Sequence, residues 1–331
     1  MGITALRQIG PFQVAPIGLG CMGFNHAYGT PVPEAQARAV LLRALARGVT
    51  LFDTAALYGF GLNEELVGRI LAPHRSRIVL ASKGGMVGVD GKRVIDGRPD
   101  SLVRHCEDSL RRLGTDVIDL YYLHRWDKAV PVEESMGALS RLVEQGKVRA
   151  LGLSEVSAAT LARAQAVHPV AAVQTEYSLW TRNPEIALLQ ACRRDGVALV
   201  AFSPLGRGVL TGRLRDPSAL VAGDIRKAMP RFSAANFPAN LALVDRLAEL
   251  AGQASCTAAQ LALAWLLQRD PCVVPIPGTT SVPHLDELLD TLPLAAPAGA
   301  VEEAGRLIGE HSVAGPRYPD GTQAEIDTEQ F

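Results

Sequence analysis

The sequence predicts an α/β fold: a (β/α)8 TIM barrel with an N-terminal β-hairpin and a long loop after strand seven. Three observations carry that prediction. Eight short apolar runs recur along 331 residues, segments of helical period separate them, and no Pro/Ser-rich linker divides the chain. Apolar runs of this length, rich in β-branched residues, suit strands buried on both faces of a parallel sheet. Their alternation with helices favours a closed barrel over an open doubly wound sheet. A single domain over 1–331 is the simplest division, because one barrel routinely fills this length.

The elements follow in order. Residues 3–14 read as a short hairpin turning at Gly10-Pro11, suited to plug the barrel bottom. The first four strands are "VAPIGLGCM" (14–22), "TLFDTA" (50–55), "IVLASK" (78–83) and "VIDLYYLH" (117–124). The last four are "VRALGLS" (148–154), "AAVQTEYS" (171–178), "ALVAFSPL" (198–205) and "CVVPIPG" (272–278). In "DSLVRHCEDSLRRLG", Leu102, Val103, Cys106, Leu110 and Leu113 share one helical face, with Asp100 or Ser101 as N-cap and Gly114 as the stop. "PVEESMGALSRLVEQGKV" repeats the arrangement between Pro131 and Gly146. Residues 206–239 form a long Gly-, Arg- and Pro-containing excursion after strand seven, where barrels keep functional loops. The tail "HSVAGPRYPDGTQAEIDTEQF" lacks periodicity and reads as a loosely held surface segment.

Composition narrows the function. Hydrophobic residues make up 48% and the net charge is −1, so nothing electrostatic points to nucleic acid or an anionic membrane surface. There is no run of eighteen apolar residues, and "MGITALRQIGPFQV" lacks a signal-peptide pattern. The five cysteines, Cys21, Cys106, Cys192, Cys256 and Cys272, form no CxxC pair and no zinc spacing. A cytoplasmic, soluble protein with reduced thiols is expected.

In a barrel, polar residues at the C-terminal ends of strands converge on one mouth. That rule gathers Asp53 after strand two, Tyr58 in the following loop, Lys83 ending strand three and His124 ending strand four. Taken singly, each reads as a loop anchor, a snorkelling amine or a core phenol. Together they make coherent chemistry. An ammonium stabilises a phenolate, a carboxylate keeps the ammonium charged, and an imidazole can orient a carbonyl oxygen. Such a set can protonate an oxygen as a hydride reaches its carbon, and the hydride must come from a cofactor.

"FDTAALYG", "ASKGG" and "LYYLHR", in that order, resemble the Asp-Tyr-Lys-His tetrad of the aldo-keto reductases. The similarity extends through "SLRRLGTDVIDLYYLHR", "GKVRALGLSE", "VQTEYSLWTR", "AFSPLGRGVLTG" and "PIPGTT", about residues 10 to 290, and is nearest the branch carrying GLSE and EYSLW. The resemblance implies Tyr58 as general acid, Lys83 as the depressor of its pKa, Asp53 as partner of Lys83 and His124 as the carbonyl-orienting group. It implies that Ser154 and Gln174 hold the nicotinamide carboxamide and that Phe202, where Tyr is usual, stacks on the ring. Ser203, Leu205, Gly206, Gly208, Leu210 and Gly212 would wrap the pyrophosphate, with Arg207 and Arg213 adding positive charge. Gly278, Thr279 and Thr280 could bind phosphate near a helix N-terminus.

The segment "PIPGTTSVPHLDELL" departs from the family. Ser281 and His284 stand where Lys and Arg commonly bind the 2′-phosphate, and Leu288 where Asn commonly contacts adenine. Histidine carries charge only at lower pH, so NADP(H) is expected as cofactor with NAD(H) also accepted. Phe24, Trp126 and Trp180, with Met22 and Phe232, are the expected walls of the substrate pocket. "GLGCMG" (18–23) is too short for a GxGxxG fingerprint, and its glycines are assigned to strand-end turns. The expected activity is reversible NAD(P)H-dependent reduction of aldehydes or ketones, with a small carbonyl or alcohol as partner. The alternative is a cofactor-binding interaction module of the channel β-subunit type. A metal-dependent hydrolase would need several ligands at strand ends, where only Asp53 and His124 qualify.

Overall fold

A computed structural model describes residues 4–294 and 296–331; residue 3, the first of the expected hairpin, lies outside them. The hairpin pairs β1 (Arg7–Ile9) with β2 (Phe12–Val14), with Ile9 opposite Phe12 across Gly10-Pro11. Gly10 has φ 51°, and a Cβ there would stand 2.7 Å from the Cβ of Ala171. The turn therefore seats directly against the barrel wall, a position only glycine fills without strain. Ile9, Val14 and Phe12 pack on Leu51, Val79, Leu120 and Ala150 and so close the barrel interior from below.

The remaining strands are β3 (Leu19–Gly20), β4 (Leu51–Asp53), β5 (Val79–Gly84), β6 (Met86–Val89), β7 (Lys92–Ile95), β8 (Ile118–Leu123), β9 (Val148–Ser154), β10 (Val170–Glu176), β11 (Ala198–Phe202) and β12 (Val273–Pro275). Eight of them, β3, β4, β5 and β8 through β12, pair in parallel in chain order. The ends of this sheet meet through bonds donated by Gly18 N–H to Pro275 O (3.0 Å) and by Gly20 N–H to Pro277 O (3.1 Å). All eight expected barrel strands are present; β9 matches its run, β5 keeps its length shifted by one residue, and the other six are shorter than their apolar runs. The glycines of "GLGCMG" need correction. Gly18 and Gly20 are absent from the positive-φ positions, and a Cβ on either would come 2.9 Å from Ile276. They permit close approach at the barrel seam and do not make turns.

Helices α1 (Glu34–Ala46), α2 (Leu62–Leu71), α3 (Pro99–Leu113), α4 (Val132–Glu144), α5 (Ala158–Gln165) and α6 (Leu188–Asp195) connect successive barrel strands. The long excursion after β11 winds through short 3-10 turns into α7 (Phe237–Gln253) and α8 (Ala258–Leu267). Then α9 (Val282–Leu289), α10 (Ala298–Leu307) and α11 (Asp320–Gln323) follow β12. Helix α3 stops at Gly114 (φ 63°) as expected. Its start differs: Arg98 is the N-cap without a side-chain bond and Pro99 opens the first turn, so Asp100 and Ser101 lie inside the helix. Proline's fixed φ and missing N–H suit that first turn. No single described helix is long and apolar enough to cross a membrane.

Two segments differ from expectation. The antiparallel pair β6–β7, turning at Asp90-Gly91 beside the barrel mouth, was not anticipated. Its signal was legible, since Asp-Gly flanked by alternating residues favours a two-residue hairpin. The tail is not loosely held. Arg317, Tyr318 and Ile326 are buried. Asp327 pairs with Val156 and accepts from the Ser157 and Thr160 hydroxyls, and Ala158 N–H donates to Glu329. Side-chain partners scattered over distant elements hold it, which periodicity does not register.

Candidate active site

The pleat of the strands selects the residues that reach the barrel mouth. Leu51, Val79, Ala81, Leu120, Tyr122, Ala150, Ala172, Val200 and Val274 all belong to the interior cluster. Side chains alternate faces with period two, so the next inward positions toward the strand ends are Asp53, Lys83, His124, Ser154, Gln174 and Phe202. Gly152 occupies an inward position where a Cβ would fall 2.3 Å from Tyr122, so glycine makes room for that ring. Above this floor opens a cavity of about 780 Å³.

Lys83 is fully buried and donates to Asp53 Oδ1 (2.5 Å), to Thr54 O (2.8 Å) and to the Tyr58 hydroxyl (3.2 Å). Gln174 Nε2 donates to the second Asp53 oxygen at 2.8 Å. Asp53, Tyr58 and His124 border the cavity, while Lys83 stands behind them. The Tyr58 and His124 rings meet edge-on with centroids 5.8 Å apart, and the His26 ring stacks on Tyr58 at 5.9 Å. His124 Nδ1 has no hydrogen-bond partner among the described residues.

Burial and neighbouring charge set the protonation states. Burial would lower the Lys83 pKa, but Asp53 and then Tyr58 outweigh it, and the net direction is upward. Lys83 is held as an ammonium. Burial above all, then Lys83, Arg125, His26 and Arg93, hold the His124 imidazole neutral. Tyr58 departs from expectation. Lys83 does pull its pKa down, yet burial is the larger effect and the phenol lies above its usual value.

The expected cofactor wall divides into groups that reach the cavity and groups that do not. Ser154, Gln174, Phe202, Ser203, Leu205, Arg207, Gly208, Arg213, Gly278, Thr279, Thr280 and His284 border it. Ser154 Oγ accepts from Arg125, and Ser281 caps α9 by accepting from His284 N–H. Ser203, Gly206, Arg207, Gly208 and Gly212 all have positive φ, a tightly coiled backbone of the kind that gathers N–H groups toward an anion. Leu210 is buried in the core, and Gly206 and Gly212 do not border the cavity. Arg213 is paired with Glu287, and Arg207 with Glu176 at 3.1 Å. This polar lining with a coiled glycine loop fits a dinucleotide.

The expected substrate walls are mostly displaced. Phe24, Trp180 and Phe232 belong to the buried core, and none borders the cavity. Trp180 packs where a Cβ on Gly206 would lie 3.0 Å from its ring. Trp126 bonds Val130 O through its indole N–H, with Arg163 over its ring 5.3 Å from the centroid. Each aromatic follows apolar burial or a backbone acceptor away from the mouth. Met22 does border the cavity, joined by His26, Tyr28, Met86, Arg93 and Tyr318, which sequence reasoning missed. The Asp-Gly turn could have signalled Met86 and Arg93; nothing local signalled Tyr318. Among the described residues, no three His, Cys, Asp or Glu side chains group in a metal-binding arrangement.

A family model described as "Aldo/keto reductase family" matches residues 16–301. An aldo-keto reductase of Schizosaccharomyces pombe, whose name carries the NADP(+) designation, is 42% identical over 327 residues, 97% of this chain and 96% of that protein. The glycerol dehydrogenase AKR11B4 from Gluconobacter oxydans superposes with a TM-score of 0.84 at 30% identity, covering 96% of this chain and 99% of that one. An aldo-keto reductase from Klebsiella pneumoniae in complex with NADPH gives a TM-score of 0.70 at 29% identity, covering 93% and 96%. The chain belongs to the aldo/keto reductase family.

Proposed function

We propose that this protein, a single barrel domain, reduces aldehydes or ketones reversibly with NADP(H), and that it also accepts NAD(H). The observation that carries the reading is the buried relay Asp53–Lys83–Tyr58 opening beside His124 on the cavity floor. A bound nicotinamide dinucleotide supplies the hydride. Tyr58, kept protonated by burial, donates its proton to the carbonyl oxygen as negative charge develops there. Lys83 stabilises the phenolate left behind, and Asp53 keeps that lysine charged and placed. Neutral His124 donates an N–H to the same oxygen and orients it.

The cofactor assignment draws support from the NADP(+) and NADPH named for two of the relatives. Ser154 and Gln174 would hold the carboxamide and Phe202 would stack on the nicotinamide. Ser203, Leu205, Gly208 and Gly278 to Thr280 would line the phosphates, with His284 near the 2′-phosphate. Met22, Met86 and Tyr318 give the substrate end an apolar character suited to aromatic or alicyclic carbonyls, while His26 and Arg93 add polar contacts. A panel of carbonyl compounds, with NADPH and NADH oxidation followed optically, tests the reading. Substrate-dependent oxidation that disappears in Tyr58→Phe is expected; failure to oxidise either dinucleotide with any carbonyl would overturn it.

A further inference from the structure

The GLSE and EYSLW motifs supply two buried carboxylates, Glu155 and Glu176, that the proposed chemistry does not use. Glu155 accepts from Thr175 Oγ1 (2.8 Å), from Glu176 N–H (3.1 Å) and from Arg317 (2.6 Å). Glu176 accepts from Thr181 Oγ1 (3.0 Å), Arg317 Nε (2.9 Å) and Arg207 (3.1 Å). Every carboxylate oxygen of the pair is engaged, and two glutamates face two arginines. The arginines come from different walls of the cavity: Arg207 from the loop after β11, Arg317 from the tail. Their guanidinium groups each lie 5.8 Å from the centroid of the Phe202 ring, and Arg207 donates to the Tyr318 hydroxyl at 2.8 Å.

We infer that Glu155 and Glu176 are positioning residues that lock the tail, through Arg317, to the loop after β11, so that the two walls flanking Phe202 order together. Glu176 is the shared element, because one of its oxygens accepts from both arginines. A ligand that holds the loop in place restricts Arg207, which restricts Arg317 through Glu176 and Tyr318 through its own bond to that hydroxyl. Coupling of this kind is reciprocal, so order in the tail also favours binding at the loop. The other tail contacts lie outside the glutamate–arginine cluster, and one of them, Arg231 Nε donating to Gly315 O at 3.2 Å, adds a second tie between the excursion after β11 and the tail. Lys128 holds the carbonyls of Ala324 and Ile326, and Asp327 holds the start of α5. The lock therefore governs residues 315–323 and leaves 324–329 anchored.

This inference takes the dinucleotide of the proposed function as its ligand, so its test includes a readout that needs no activity. Hydrogen exchange is measured on the full chain with and without NADPH. In the wild type, NADPH should slow exchange in residues 203–213 and also in 315–323. In Glu176→Gln, slowing should persist in 203–213 and weaken markedly in 315–323, where the direct Arg207–Tyr318 and Arg231–Gly315 bonds remain. Arg317→Met should speed exchange in 315–323 by roughly ten-fold or more without NADPH, since charge-assisted bonds are lost, and should leave 324–329 unchanged. Arg317→Lys should restore part of the protection. In turnover, Glu176→Gln and Arg317→Met should raise the carbonyl KM more than they change kcat.

Equal slowing of 315–323 by NADPH in wild type and Glu176→Gln would overturn the lock, as would unaltered exchange there in Arg317→Met. If NADPH protects nothing even at 203–213, the cofactor reading fails, and the ligand-free comparison of Arg317→Met with wild type still decides whether the tail is locked. Should Arg317→Met not fold, Tyr318→Phe and Arg317→Lys supply that comparison, with faster exchange confined to 315–323 expected and unchanged exchange overturning the lock.

Discussion

Two buried charge clusters sit at the ends of barrel strands, and they differ in what they leave free. Around Glu155 and Glu176 every carboxylate oxygen is engaged by a donor. Around Asp53 and Lys83 the ion pair is equally buried, but it passes its influence to a phenol that borders an open cavity. Buried charge must be paired in either case, since desolvation otherwise drives it neutral or unfolds the site. The difference lies in the last member. A cluster closed on itself specifies where segments dock, whereas one that ends in a titratable hydroxyl at a cavity can move a proton.

The largest expected effect breaks the open cluster. Tyr58→Phe should lower carbonyl turnover about 10²- to 10⁴-fold through loss of the general acid alone, with dinucleotide affinity nearly unchanged in a fluorescence titration. Lys83→Met should abolish turnover, while Asp53→Asn impairs it less, because Tyr58 and Thr54 still hold the amine. The pH profile of reduction adds a sign: Tyr58 must be protonated and its pKa lies above the ordinary phenol value, so the rate should fall only in the alkaline limb.

Breaking the closed cluster should cost stability. Removing one partner of a buried pair typically destabilises by about 3–5 kcal/mol. Arg317→Met should approach that figure in urea unfolding, and Arg69→Met, on an exposed pair with Glu34, should change little. A comparable loss in both variants would erase the distinction drawn here.

Cofactor choice should respond less. His284→Arg with Ser281→Lys should shift preference toward NADPH by about 1.5–3 kcal/mol, roughly ten- to a hundred-fold in the ratio of kcat/KM for NADPH and NADH. An unchanged ratio would direct attention to Arg213 and Arg226 in the long loop, which also border the cavity. The loop's other arginine expected to serve there, Arg231, does not border the cavity and bonds Trp180 O and Thr181 Oγ1.

The smallest effect separates the clusters by acid. Burial opposes ionisation of Glu176, but Arg317, Arg207 and Arg231 outweigh it and bring its pKa from 4.5 to about 2; Glu155 is lowered in the same way. A carboxylate whose folded pKa is depressed stabilises the fold above its unfolded pKa, and that contribution fades as pH falls through the folded value. Tail protection should therefore be complete above about pH 5 and decline between about 4.5 and 2. Tail exchange that is flat across that window would contradict the assignment.

Much of this was legible in the chain because it is periodic. The eight apolar runs located the barrel strands, the strand-end rule gathered Asp53, Lys83 and His124, and the family resemblance added Ser154, Gln174 and Phe202; the pleat of the folded strands accounts for all six. Six of the eight strands are shorter than their apolar runs, while β5 and β9 keep the expected length. The aromatic walls were misassigned because a loop ring can serve core or mouth equally well, and Phe24 and Trp180 went to the core.

The sequence by itself determined the alternation of strands and helices, the face each strand presents and the residue types that end it, because these follow from local periodicity and side-chain chemistry. Only the tertiary structure decided the glycine seam at Gly18 and Gly20, the partners of Arg207 and the docking of the tail. Arg317 meets Glu155 across 162 residues from within an aperiodic segment. A single long-range ion pair leaves no repeating trace along the chain, and its partner is chosen by which buried carboxylates the closed barrel brings to the same rim.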